Sequence, residues 1–180
     1  MQLKSLEDTQ KFSKNISSIV EAGDVIFLYG EIGVGKTTFV RFFINFLETQ
    51  KGISNSEVLS PTFNIVYDYD IGEIKILHYD LYRLKNYKDI SQLGMFENLK
   101  NHIKIVHYDL YRLKNYRDIS QLGMFEISKD YIKIVEWPEL IESKPKDRID
   151  ILFHYSKNIN SRNIEIKGFG KWKDYKFNEI

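Results

Sequence analysis

The 180-residue chain contains no cysteine. That excludes disulfides, cysteine-ligated zinc and thiol catalysis. Charge of one sign is also missing: 26 Lys and Arg face 25 Asp and Glu, a formal net charge of +1. No strong field therefore favours nucleic acid or an anionic membrane, and no basic patch argues for direct RNA binding. No run of about 18 apolar residues, the length a bilayer span needs, occurs. The absence of cysteine fits a cytoplasmic protein, and the opening stretch MQLKSLEDTQKF lacks the apolar centre of a signal peptide. No linker rich in Pro, Gly or Ser divides the chain. One domain over residues 1–180 is expected, long enough for a sizeable core.

What is present is most informative at Gly30–Thr37, GEIGVGKT. The spacing matches the phosphate-binding loop: Gly, four residues, then Gly-Lys-Ser/Thr. Glycines let successive backbone N–H groups point into one concavity. Lys36 supplies a cation for β- and γ-phosphates, and Thr37 offers a hydroxyl to Mg²⁺. The flanks fit. Asp24 to Tyr29 is a short apolar run, as a buried parallel strand should be, and TFVRFFINFL (Thr38 to Leu47) has helical length. Strand, loop, helix is the required order, and the helix adds its positive N-terminal end.

Residues His78 to Val106 recur 29 positions later as His107 to Val135, differing only at Lys88/Arg117, Asn98/Ile127, Leu99/Ser128, Asn101/Asp130 and His102/Tyr131. A solenoid needs at least about three units, so two copies read as a tandem duplication inside an existing domain. Each copy opens with His-Tyr-Asp-Leu-Tyr-Arg at a strand end, continues through a polar turn and a short helix, and closes with the strand Ile-Lys-Ile-Val. Only the second closing strand runs into Glu136-Trp137-Pro138-Glu139.

Elsewhere, Ser5 is expected to cap a first helix that stops near Gly23. Val58 to Tyr69 and Ile74 to Asp80, separated by Ile71-Gly72-Glu73, read as a hairpin. Two closing strands are expected at Arg148 to Tyr155 and Asn163 to Gly168. The pattern specifies a single-domain α/β P-loop fold: a central, largely parallel sheet flanked by helices, with an antiparallel hairpin.

A P-loop ATPase needs an acidic group near Mg²⁺ at the end of a neighbouring strand. Glu136 fits, directly after Ile132-Lys133-Ile134-Val135; the alternative is a surface Glu. Asp80 and its copy Asp109 either orient the attacking water or cap the following turn. Ser60-Pro61-Thr62 is either a switch segment, with Thr62 sensing the γ-phosphate, or an ordinary loop. Trp137 reads as packing or as a contact surface. Arg83 and Arg112 either touch phosphate or are solvated. His78, His102 and His107 do not make a convincing metal set, because two of them are one position copied.

In this order, GEIGVGKTTFVR, SPTF, HYDLYRL and VEWPE resemble the bacterial TsaE (formerly YjeE) P-loop ATPases along nearly the whole chain. The resemblance implies an ATPase required for threonylcarbamoyladenosine modification of tRNA, using ATP and Mg²⁺. It implies TsaD and TsaB as partners, with tRNA contacted only indirectly. Phosphates would lie on Gly33, Val34, Gly35, Lys36, Thr37 and Thr38, and the metal on Thr37 and Glu136. The HxD aspartate would be needed for hydrolysis, and Thr9 and Arg162 would lie near the nucleotide. The family has one HxDxYR segment; this chain has two. Asp80 is favoured for the catalytic place, because its strand follows the short Gly72 turn and a short loop costs less entropy to close. Copy two would then be an insertion. The rival arrangement puts Asp109 in the site and loops out residues near 74–102.

Two further functions share the P-loop. A small-molecule kinase needs an Arg-rich lid, and no such segment is found. A nucleotide-binding scaffold with impaired hydrolysis would follow if the duplication displaces the aspartate. A GTPase is disfavoured, since no Asn-Lys-x-Asp motif occurs.

Overall fold

The computed structural model describes residues 1–52, 66–71, 74–80, 103–111, 113, 119, 124–125 and 130–177. The chain order is β1 (Gln2–Leu3), α1 (Leu6–Ile19), β2 (Val25–Tyr29), α2 (Lys36–Gln50), β3 (Val66–Ile71), β4 (Ile74–Asp80), β5 (Ile103–Asp109), β6 (Ile132–Glu136), β7 (Arg148–Tyr155) and β8 (Arg162–Phe169). One sheet contains the eight strands among the described residues, in the order β1-β8-β7-β2-β6-β5-β4-β3. From β7 to β4 every pairing is parallel; the edge pairs β3–β4, β7–β8 and β1–β8 are antiparallel. The α/β class, the parallel centre and the β3–β4 hairpin agree with the sequence pattern.

Local chemistry explains the elements near the loop. Ser5 caps α1 by accepting from the Asp8 N–H at 3.2 Å, which satisfies one of the orphan donors of the first turn. In β2 the run Val-Ile-Phe-Leu is buried on both faces, as a strand central to a parallel sheet must be. Alternation then sorts the core. Ile26, Leu28, Ile134, Ile149 and Ile151 pack with Phe12 and Ile16 of α1 and Phe39, Phe43 and Ile44 of α2. Val25, Phe27, Val106, Tyr108 and Val135 face the opposite way, against Ile119, Met124 and Ile141. Both described helices thus cover one face, and each fully buried Phe or Ile on it contributes about 2–3 kcal/mol.

The described strands match neither arrangement in full: Ile74–Asp80 and Ile103–Asp109 both lie in the sheet, and Asp109 rather than Asp80 is on the strand beside β6. Strands β4 and β5 lie side by side in a 29-residue register, from Ile74 with Ile103 to Asp80 with Asp109, so that His78, Tyr79 and Asp80 pair with their own duplicates. His78 stacks on His107 with ring centroids 4.2 Å apart, and Tyr79 on Tyr108 at 5.2 Å. The reason is physical. A looped-out Ile-Lys-Ile-Val-His-Tyr segment would leave apolar side chains and backbone groups unpaired. Inserted in the sheet it is satisfied on both edges. In-register pairing of two strands that differ only at Leu77/Val106 also keeps every apolar residue on its own face. The connections 81–102 and 110–131 both exceed the roughly 12 residues that a parallel crossover needs. The short helix expected within each copy and the segment Ser60-Pro61-Thr62 lie outside the described residues.

Candidate functional site

The loop after β2 enters α2 through Gly35, whose φ of 115° is a left-handed conformation disfavoured for side-chain-bearing residues. At Gly30 the φ is 128°, and an added Cβ would lie 2.4 Å from the Phe153 carbonyl oxygen. These glycines are therefore required by backbone shape and by close approach to β7. Behind the loop, Arg162 donates from Nε to the Val34 carbonyl at 2.8 Å and from Nη1 to the Ile159 and Ser161 carbonyls at 2.7 Å. The Tyr155 hydroxyl donates to the Ile32 carbonyl at 2.7 Å. Two residues of the closing hairpin thus fix the outer side of the loop.

Lys36 opens α2 and is buried. Its Nζ donates to the carbonyls of Gly30 at 2.7 Å and Glu31 at 3.0 Å, and sits 3.7 Å from the centre of the Trp137 ring. Burial lowers its pKa, while Glu136, Asp109 and Glu139 act against that drop. Trp137 presents this face from a left-handed backbone, φ 59° and ψ 54°, the one positive φ outside glycine among the described residues. Its N–H continues the ladder by donating to the Leu28 carbonyl at 3.2 Å. A cation over an indole contributes up to about 2 kcal/mol when desolvated, which offsets part of a backbone strain of roughly 1–3 kcal/mol.

Thr37 donates from Oγ1 to Glu136 Oε2 at 3.1 Å. Glu136 ends β6 and is buried; burial raises its pKa, opposed by the Thr37 hydrogen bond and by Lys36. Its other oxygen, Oε1, lies 3.0 Å from His107 Nε2. His107 is also buried, and desolvation brings its pKa down to about 4, so it is neutral at pH 7. On the same strand face, two residues on, stands Asp109. It is the Cα partner of Glu136, and its Oδ1 accepts the Tyr111 N–H at 3.0 Å.

These residues enclose one cavity of about 210 Å³, lined by Gly33, Gly35, Lys36, Thr37, Thr38, Asp109, Glu136 and Trp137 among others. On the other side of the loop, Thr9, Gly33, Val34, Gly35, Thr38, Ile159 and Arg162 line a second cavity of about 510 Å³. The structure thus gathers Gly33, Val34, Gly35, Lys36, Thr37, Thr38, Glu136, Thr9 and Arg162 around the loop. Thr62 lies outside the described residues. The strand order differs from the expectation for Asp80: β5, not β4, neighbours β6. Asp109 therefore lines the cavity, while Asp80 ends the next strand out and its side chain is outside the described part. Sequence reasoning misses His107 as a partner of Glu136. A signal for it exists, because the His-x-Asp spacing puts both side chains on one strand face.

The arrangement suits a nucleotide and a hard cation. A Cβ at Gly35 would meet nothing within 4 Å, so the loop leaves open space beside its amides at the N-terminus of α2. A hydroxyl and a carboxylate facing each other are oxygen ligands of the kind Mg²⁺ takes together with phosphate oxygens. No group of three or more acidic or histidine side chains forms a cage among the described residues, consistent with a site completed by the ligand's own phosphates.

Known proteins share sequence pattern and fold with this chain. The family described as "Threonylcarbamoyl adenosine biosynthesis protein TsaE" matches residues 3–106 and again 96–164, so each copy falls in a match. The "tRNA threonylcarbamoyladenosine biosynthesis protein TsaE" of Rickettsia conorii is 37% identical over 100 residues, covering 56% of this chain and 55% of that protein. The protein of the same name from Aquifex aeolicus is 39% identical over 85 residues, 47% of this chain and 62% of that one. The Bacillus subtilis counterpart is 36% identical over 91 residues, 51% and 53% of the two chains. The chain thus spans little more than half the length of these relatives. The crystal structure of Bacillus subtilis YdiB superposes with a TM-score of 0.59 at 22% identity, covering 99% of this chain and 90% of that one, a likeness of fold.

Proposed function

The chain belongs to the TsaE family, and on that footing we propose that it binds and hydrolyses ATP with Mg²⁺ in support of threonylcarbamoyladenosine modification of tRNA. The observation that carries this reading is the Thr37–Glu136 contact of 3.1 Å, made beside a glycine loop that holds Lys36. A hydroxyl at the start of a P-loop helix and a carboxylate at the end of the next parallel strand are the two protein ligands that an NTPase needs.

Each residue then has a role. The loop amides and the α2 N-terminus hold phosphate oxygens. Lys36 places a fixed cation at the same wall. Thr37 and Glu136 hold Mg²⁺, which when bound neutralises charge on the β- and γ-phosphates. Asp109 orients and deprotonates the attacking water from the strand beside Glu136. The second cavity, with Thr9 and Arg162, takes the nucleoside end. Asp109 is assigned this role in place of Asp80 because it lines the phosphate-side cavity. The proposed partners are TsaD and TsaB, which the protein drives by its nucleotide cycle rather than by touching tRNA. No helix among the described residues is long and apolar enough to cross a membrane, and we assign the activity to the cytoplasm.

The test is phosphate release from ATP by the purified chain, alone and with a TsaB–TsaD complex. Stimulated release supports the reading. Transfer of phosphate to a metabolite would make the protein a kinase, and nucleotide binding with no turnover under either condition would make it a scaffold.

A further inference from the structure

One buried polar side chain, His107, has no role in the site as proposed above. Its ring is almost fully shielded, and Nε2 lies 3.0 Å from Glu136 Oε1. The opposite ring nitrogen, Nδ1, has no hydrogen-bond partner. The tautomer with its proton on Nε2 therefore leaves no buried N–H unpaired. In that form His107 donates to Oε1 and fixes the rotation of the carboxyl group. Glu136 Oε2 is then the oxygen left facing Thr37 Oγ1, at 3.1 Å. The three groups form a line from β5 through β6 to the first turn of α2.

A second observation braces the line. His78 of copy one stacks on the His107 ring at 4.2 Å with 31° between planes, and is itself buried. The self-pairing of β4 and β5 delivers this contact, since His78 and His107 are Cα partners. Copy one thus packs the back of a residue that copy two points at the site.

We infer that His107 is a positioning residue which, backed by the His78 ring, holds the Glu136 carboxylate in the orientation that presents one oxygen beside Thr37 for a divalent cation. The inference rests on the proposed Mg²⁺–nucleotide reading of the site. Outer hydrogen-bond partners of metal ligands commonly contribute 10–100-fold in metal affinity. Such a partner acts on the metal and leaves the loop's own grip on phosphate intact, which a purely structural role would not do.

The test uses the full chain, a non-hydrolysable ATP analogue and Mn²⁺ as the probe, with free Mn²⁺ followed by its paramagnetic resonance signal. His107→Leu removes the donor, and His107→Gln restores a donor near the Nε2 position. Expected is a loss of about 10–100-fold in Mn²⁺ affinity for His107→Leu, with analogue affinity in EDTA unchanged and near wild-type Mn²⁺ affinity for His107→Gln. Should His107→Leu fail to fold, His107→Gln is compared with His107→Asn, whose shorter amide does not reach Glu136; Gln binding Mn²⁺ more tightly than Asn supports the inference. It is overturned by wild-type Mn²⁺ affinity in His107→Leu, or by Gln performing no better than Leu or Asn. A wild-type protein that binds no analogue at all overturns the nucleotide reading itself, a result distinct from failure of the histidine's role alone.

Discussion

Replacing Gly30 by Ala should damage the protein far more than the same change at Gly35, and the structure says by how much. Both positions have left-handed backbones, φ 128° and 115°. Strain of that kind costs about 1–3 kcal/mol for a residue with a Cβ. Gly35 has open space around its missing Cβ, so Gly35→Ala carries the strain alone. At Gly30 the new methyl would meet the Phe153 carbonyl oxygen at 2.4 Å and the Val34 side chain at 3.2 Å. The carbonyl belongs to the backbone of β7 and cannot rotate away. Such overpacking adds about 1–3 kcal/mol. Gly30→Ala is therefore expected to lose roughly 2–6 kcal/mol in all. At about 2–4 °C per kcal/mol for a chain of this size, its melting temperature falls by on the order of 10 °C and that of Gly35→Ala by about half as much. Thermal melts by circular dichroism measure both. Nucleotide affinity should show the reverse emphasis, because a methyl at Gly35 projects into the phosphate cradle. Equal melting shifts in the two variants would refute the claim that the loop is seated on β7 at Gly30.

Lys133 is buried on the face away from the helices, donates to the Tyr131 carbonyl at 3.2 Å, and has its pKa lowered to about 8 by burial. A lysine depressed in the folded state costs stability at neutral pH, and that cost disappears as pH rises from about 8 through 10.5. The drop corresponds to about 3 kcal/mol at ~1.4 kcal/mol per pH unit. After loss of its hydrogen bond, of about 1 kcal/mol, Lys133→Met should gain about 2 kcal/mol in urea unfolding at pH 7, and less at pH 10; destabilisation at pH 7 would contradict this. Arg162→Ala removes three contacts to carbonyls, two of them at 2.7 Å, and should cost on the order of 2–3 kcal/mol together with weaker nucleotide binding. Unchanged affinity, read by calorimetric titration, would show that the loop does not need this brace.

Much of the site is legible in the chain because its signals are local. The Ser5 cap, the apolar strand before Gly30, the glycine loop, the strand ending in Glu136 and the closing pair of strands each announce themselves within a dozen residues. The order of β4 and β5 is not legible that way. His78–Asp80 and His107–Asp109 have identical local patterns, so only pairing across the sheet separates them. Loop-closure entropy favours Asp80 only while the larger cost of an unpaired apolar strand is left out. The same holds for Trp137 and Arg162. A left-handed Trp over Lys36, and a guanidinium spent on backbone carbonyls, are consequences of tertiary contacts that no spacing rule encodes.

Every role proposed for the site depends on a phosphate-side wall built from β5 and β6. Single-turnover phosphate release, compared between Asp109→Ala and Asp80→Ala, decides whether that wall is the catalytic one. Both variants should bind ATP. Asp109→Ala is expected to lose hydrolysis, while Asp80→Ala keeps it at the wild-type rate. Loss in Asp80→Ala with retention in Asp109→Ala would contradict the assignment.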